Sequence, residues 1–148
     1  GQPMACDAYS PAEMEPTNPG LFWYGVHACE ILYTVMGPGC HVVRCQQTPQ
    51  YTLVNADWGD GRLCTLRGTR CGTHSYGATV FGTKGVVHVQ PASEPPMYAQ
   101  LLKKVIPFLT GAPAPVRMEE TLEIMAFMQA AWLSQKEQRP VALAEIKE

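Results

Sequence analysis

The sequence predicts an α+β fold, a predominantly antiparallel, open-faced sheet packed on one side by helices. Three features predict it. The apolar segment from Leu21 to Met36 has helical length and stops at Gly37-Pro38-Gly39. Between Cys40 and Gln90 the apolar period drops to two, with glycine-bearing turns separating short runs. Beyond Met97 two longer segments return to helical spacing.

Taken in order, residues 1–20 read as an extended lead-in, in which Met4 to Ala8 reads as a short edge strand. Residues 21–148 read as a single α+β domain. The Leu21–Met36 helix follows Asn18-Pro19-Gly20. It is apolar around nearly its whole circumference, which predicts burial on both sides. Glycine suits the left-handed cap that ends it, and proline cannot continue it. Candidate strands are Cys40–Cys45, Tyr51–Ala56, Arg62–Arg67, Tyr76–Phe81 and Val86–Val89. Gly59-Asp60-Gly61 and Gly82-Thr83-Lys84-Gly85 supply hairpin turns, so the expected topology is a five-strand antiparallel meander. Met97–Leu109 reads as a helix with Pro107 kinking or ending it. A second helix runs from about Arg117 to Gln135, with Glu119, Glu120 and Glu123 near its positive end.

Composition narrows the function classes. With 46% hydrophobic and 16% charged residues the 148-residue chain is globular in type. A net charge of −2 and the lack of a Lys/Arg cluster argue against a nucleic-acid partner. Tyr24, His27 and Glu30 interrupt the longest apolar run, which argues against a membrane span. The cytoplasm is the expected location, with an upstream targeting signal left open because Gly1 is an odd natural start. The six cysteines show no Cys-x-x-Cys knuckle. They read as reduced core residues, with a loop disulfide involving Cys40 or Cys71 as the other reading.

The usual catalytic signatures are missing: no Gly-x-Gly-x-x-Gly after a strand, no Walker loop, no His-Glu-x-x-His and no Gly-x-Ser-x-Gly. The expectation is a chain that binds no cofactor and runs no redox or group-transfer chemistry alone. Tyr24, His27 and Glu30 recur every three residues and so share one helix surface. His27 is either a proton carrier reaching a pocket or a core histidine satisfied by Glu30. Gly25 beside it leaves room for a second backbone or a flat ring. Arg67, Arg70 and His74 are further pocket candidates, the alternative being solvated hairpin residues. Trp58 reads as packing beside a turn. A Cys–His hydrolase built on Cys29 or Cys71 is disfavoured, since Cys29 and His27 diverge around the helix.

Trp23-Tyr24-Gly25-Val26-His27, then Glu30 and a helix ending at Gly37, resembles the Gly-x-His helix of the C-terminal domain of glucose-fructose oxidoreductase/inositol dehydrogenase-type (Gfo/Idh/MocA) enzymes. Tyr76-Gly77-Ala78 through Gly85, Pro107-Phe108-Leu109-Thr110-Gly111, Glu119 to Glu123, Ala130-Ala131, Ser134 and Pro140-Val141 follow in the family's order. The likeness covers roughly residues 20 to 145. It implies an N-terminal Rossmann domain, absent from this chain, that binds NAD or NADP and packs against this domain to form the substrate pocket. It implies that His27 is the acid/base or substrate-orienting group, its companion lysine lying in the nucleotide domain. Tyr24, Glu30, Arg67, Arg70 and His74 are then the candidate substrate contacts, and a sugar, polyol or related hydroxyl compound is the implied small-molecule substrate. It also implies a homodimer through the open sheet face, which the charge-poor alternation of Tyr51–Ala56 and Leu63–Leu66 independently suggests. One position departs: Trp23 stands where the family commonly has aspartate. Tryptophan cannot orient a hydroxyl as a carboxylate does, so a non-catalytic binding or scaffold domain is the competing reading.

Overall fold

Period-two alternation in the middle of the chain produces a seven-stranded open sheet, described by a computed structural model covering residues 1–92 and 94–146. The strands are β1 (Pro3–Pro11), β2 (Val42–Gln47), β3 (Tyr51–Asp57), β4 (Leu63–Thr69), β5 (Gly77–Gly82), β6 (Gly85–Val89) and β7 (Val141–Ala142). Helices are α1 (Val26–Met36), α2 (Met97–Leu109) and α3 (Met118–Glu137), and a short 3-10 turn follows at Leu143–Ile146. The fold class is as the sequence predicts: α+β, with a mostly antiparallel open sheet. Gly59 and Gly61 sit at positive φ in the β3–β4 turn, and Gly85 does so after the β5–β6 turn.

The lead-in is where the sequence reading fails. Residues 3–11 form not a short edge strand but a central one, in the order β6-β5-β1-β4-β3-β2-β7. β1 pairs parallel with β4 and antiparallel with β5. The sheet is therefore mixed, and β1 splits the expected meander between β4 and β5. A parallel pair requires a long crossover, and α1, β2 and β3 together provide it. Small side chains explain the fit. Cys6, Ala8 and Ser10 of β1 are fully or almost fully buried, as is Ala78 of β5, and they let α1 lie close over the sheet.

The helix also starts later than its apolar run. Residues 20–25 form turns, and α1 begins at Val26. Gly25 serves this turn: a Cβ there would stand 2.6 Å from Leu21 Cδ2. Its open side therefore meets its own chain, not an approaching ring. Only one face of α1 is buried, formed by Ala28, Cys29, Leu32, Tyr33 and Met36. Burial on both sides does not occur, because α3 packs alongside over β2 and leaves the His27–Glu30–Thr34 face open.

Aromatic and polar contacts lock α1 to α3. Tyr33 meets Phe127 edge-on at 5.7 Å between centroids and Trp58 at 5.8 Å. Trp58 is buried and donates from Nε1 to Gly37 O at 3.1 Å, so it is a packing residue. Glu123 does more than favour a helix N-terminus. Its Oε1 accepts from Gly39 N at 2.6 Å, Cys40 N at 2.9 Å and Tyr33 Oη at 3.2 Å. Ser134 Oγ accepts from Cys45 N at 2.9 Å and ties α3 to β2.

All six cysteines are free thiols. Burial pushes Cys6 and Cys40 up to about 12, and Cys45 and Cys64 up to about 11, so they behave as small core hydrophobes. α2 differs from the other helices in burying none of its residues.

The uncovered sheet face carries a polar row set by strand register: His88, Thr79, Asp7, Thr65, Asn55 and Arg44 stand side by side on successive strands. Thr65 donates to Asp7 at 2.5 Å, and Thr79 bonds His88 Nδ1 at 3.0 Å. This face is more polar at its centre than β3 and β4 alone suggest.

Candidate functional site

Strand order creates the site. Because β1 brings β5 under α1, the start of β5 reaches the start of the helix. His27 and Tyr76, distant in sequence, thus stand with ring centroids 5.7 Å apart. Tyr24 lies on the other side of His27 at 5.8 Å, and Trp23 contacts Tyr24 at 6.3 Å. Each pair meets edge to face, the arrangement that ring quadrupoles favour.

The His27 ring is half exposed, at 47% of its side-chain area, and Glu30 is exposed at 57%. Nδ1 of His27 is 3.2 Å from Glu30 Oε2. With the carboxylate accepting from Nδ1–H, Nε2 keeps the lone pair and is the nitrogen able to take a proton. The helix turn sets this pairing, since residues three apart are neighbours on one face. Thr34 Oγ donates its proton to Glu30 O at 2.7 Å, which leaves its oxygen as an acceptor. Burial and the nearby Tyr24 raise the pKa of the Tyr76 phenol, keeping it a neutral hydroxyl.

His27, Glu30 and Tyr76 open onto a groove of about 730 Å³ between α1 and the β5–β6 ribbon. Gln90 adds an amide at the Tyr76 end. Chemically, the set offers one proton acceptor, one carboxylate and two hydrogen-bonding groups beside an open hollow.

The remaining candidates do not join them. Arg67 alternates with buried Leu66 and Gly68 and so projects from the opposite sheet face, 6.0 Å from the Tyr51 ring centroid. The Arg70 guanidinium donates to Thr48 O, Pro49 O, Thr52 Oγ and Ala12 O at 2.8–3.2 Å, bracing three chain segments. His74 pairs with Glu13 at 3.4 Å. Cys29 is fully buried, its thiol pKa raised by burial, and Sγ faces Gly25 O at 3.6 Å, which leaves it no nucleophilic role. Tyr76 and Gln90 were not singled out from sequence. Tyr76-Gly77 at the head of a strand is the one available signal, and only the strand order makes it informative.

No family model matches the chain, and no curated protein matches it at a significant level. Solved structures do match. A probable dehydrogenase from Thermotoga maritima superposes with a TM-score of 0.80 at 18% identity, covering 98% of this chain and 58% of that one. The apo scyllo-inositol dehydrogenase of Lactobacillus casei gives 0.75 at 14% identity, covering 97% and 56%. The same enzyme with bound NAD(H) and scyllo-inositol gives 0.73 at 16%, covering 97% and 57%. What is shared is a fold. The chain spans under three-fifths of the length of these oxidoreductases. Among the described residues no helix is long and apolar enough to cross a membrane, and no group of three or more His, Cys, Asp or Glu is placed to hold a metal ion.

Proposed function

We propose that this chain is the substrate-binding and assembly domain of an NAD(P)-dependent dehydrogenase that acts on a hydroxyl compound. In this reading a nucleotide-binding Rossmann domain, the counterpart of the length unmatched in the solved relatives, completes the site at the His27 surface. The observation that carries it is the half-exposed His27–Glu30 pair on a fold shared with inositol dehydrogenase. A nicotinamide cofactor held by the partner domain supplies the hydride acceptor. Nε2 of His27 takes the substrate hydroxyl proton, while Glu30 fixes the tautomer and stabilises the imidazolium. Tyr24 and Tyr76 orient the hydroxyl. Sugars and polyols are the substrate class that the family likeness suggests, and the chain alone is inactive.

Sequencing upstream of the Gly1 codon, then assaying the joined polypeptide for nicotinamide reduction, tests the reading. A strand, a Gly-x-Gly-x-x-Gly turn and a helix are expected there. An upstream region coding for no such unit would remove the dehydrogenase reading. The second reading, a binding or scaffold domain without chemistry, draws on Trp23 alone: it puts an indole, half exposed, where a carboxylate is expected.

Pairing through the open sheet face belongs to the same proposal. The polar row that holds Asp7, with Arg44 at one end, offers opposite charges to a twofold-related copy. Light scattering at micromolar concentration should give twice the 16.2 kDa chain mass, and a single-chain mass would end the pairing hypothesis for this domain.

A further inference from the structure

The groove beside His27 is lined mostly by apolar side chains, with few hydrogen-bonding groups. Its hydrogen-bonding groups, His27, Glu30, Tyr76 and Gln90, gather where α1 and β5 both begin. Its other walls are Ile31, Val35, Ala78 and Val89, with Pro91, Ala92 and Met97 beside Gln90, and Thr34 donates its hydroxyl proton to the Glu30 carbonyl, so its oxygen can only accept. Past Val35 lies a second hollow of about 370 Å³ that includes Val80 and Val87 and is also lined by Gln2 and Lys84. A ligand hydroxyl seated here gives up its water hydrogen bonds, and an unreplaced one costs roughly 1–3 kcal/mol. A polyol, with a hydroxyl on nearly every carbon, would leave several unpaired against these aliphatic walls.

We infer that the groove takes a hydroxyl compound with an apolar body, its one hydroxyl at the His27 end and a ring or alkyl chain along Ile31, Val35 and Val89. This inference rests on the dehydrogenase-domain reading and replaces its sugar or polyol with an amphiphilic secondary alcohol. The groove volume falls in the range that small-molecule sites occupy, roughly 300–1,000 Å³. Its walls give apolar contact to the body of such a ligand, while Nε2 of His27 and the Tyr76 hydroxyl meet its oxygen.

Two probes separate the alternatives on the 148-residue chain: 4-phenyl-2-butanol and myo-inositol, each titrated while the His27 ring and the Ile31, Val35 and Val89 methyl signals are followed by NMR. The phenylalkanol should shift both sets together and saturably, and myo-inositol should shift neither at the same concentration. Val89 lies on an exposed edge strand, so Val89→Asn should leave the chain folded and weaken the phenylalkanol about tenfold through lost apolar contact. Ile31→Asn on the partly exposed side of α1 should act in the same direction. If myo-inositol shifts His27 and the phenylalkanol does not, the inference falls and the dehydrogenase reading survives with a polyol substrate. Methyl shifts without any response at His27 overturn it too, and mark the strip as a docking surface for protein. Failure of the dehydrogenase reading shows elsewhere, as the missing upstream nucleotide-binding unit.

Discussion

α1 and α2 have comparable lengths and apolar contents, yet their positions differ completely. α1 buries five of its eleven residues against the sheet and α3, whereas α2 buries none of thirteen. Leu101, Leu102, Ile106, Phe108 and Leu109 of α2 are all exposed. Helical periodicity thus reports that a face exists, not what covers it. For α1 the cover lies within this chain: small residues on β1 and β5 beneath it, and Phe127 and Glu123 beside it. In the proposed dehydrogenase the cover for α2 comes from outside the chain.

The largest stability effect should come from α1. Leu32 has no exposed surface, so Leu32→Ala should cost about 2–5 kcal/mol, partly as a cavity that the neighbouring rings cannot fill. Urea unfolding of the two proteins measures it. A loss under 1 kcal/mol would mean that α1 is not seated as described.

Glu123 sharpens the contrast, because it fixes the end of α1 through polar contacts alone. Glu123→Ala strands the Gly39 and Cys40 amides and should cost about 1–3 kcal/mol, with faster amide exchange confined to residues 37–41. Exchange that rises evenly over the whole chain would show that this carboxylate does not act locally.

The smallest effect belongs to α2. Leu101→Gln with Leu102→Gln should change stability by no more than about 0.5 kcal/mol in this chain. The same pair in the proposed longer dehydrogenase should cost several times more. Equal costs in both would show that α2 has no cover beyond this chain.

Legibility followed the range of the interactions that decide each feature. Gly37-Pro38-Gly39 and Gly59-Asp60-Gly61 act locally, and the helix end and hairpin they predict are present. Met4 to Ala8 reads only as a short edge strand, and the full length of β1 escaped, because Pro3, Ala5, Asp7 and Pro11 are poor strand formers. Its central place comes from pairing with β4 and β5 more than fifty residues away. The site divides the same way. His27 and Glu30 are neighbours on α1, Tyr24 stands in the turn just before it, and the three could be grouped by spacing. Tyr76 and Gln90 join them only through the strand order. Arg67 could have been placed from sequence, since alternation with Leu66 assigns it to the other face. The commitment of Arg70 to four acceptors on three chain segments could not.

The central claim is that His27 is present for chemistry and not for packing. Its ring is half exposed and, among the described residues, hydrogen-bonds Glu30 alone, so removing it should leave the fold intact. In the proposed polypeptide that joins this chain to a nucleotide-binding domain, kcat/KM and urea stability should be measured for His27→Ala beside the unaltered protein. The account predicts a fall in kcat/KM of about 10²–10⁴-fold with stability changed by no more than about 0.5 kcal/mol. Unchanged turnover, or a loss of activity that only follows a comparable loss of stability, would contradict it.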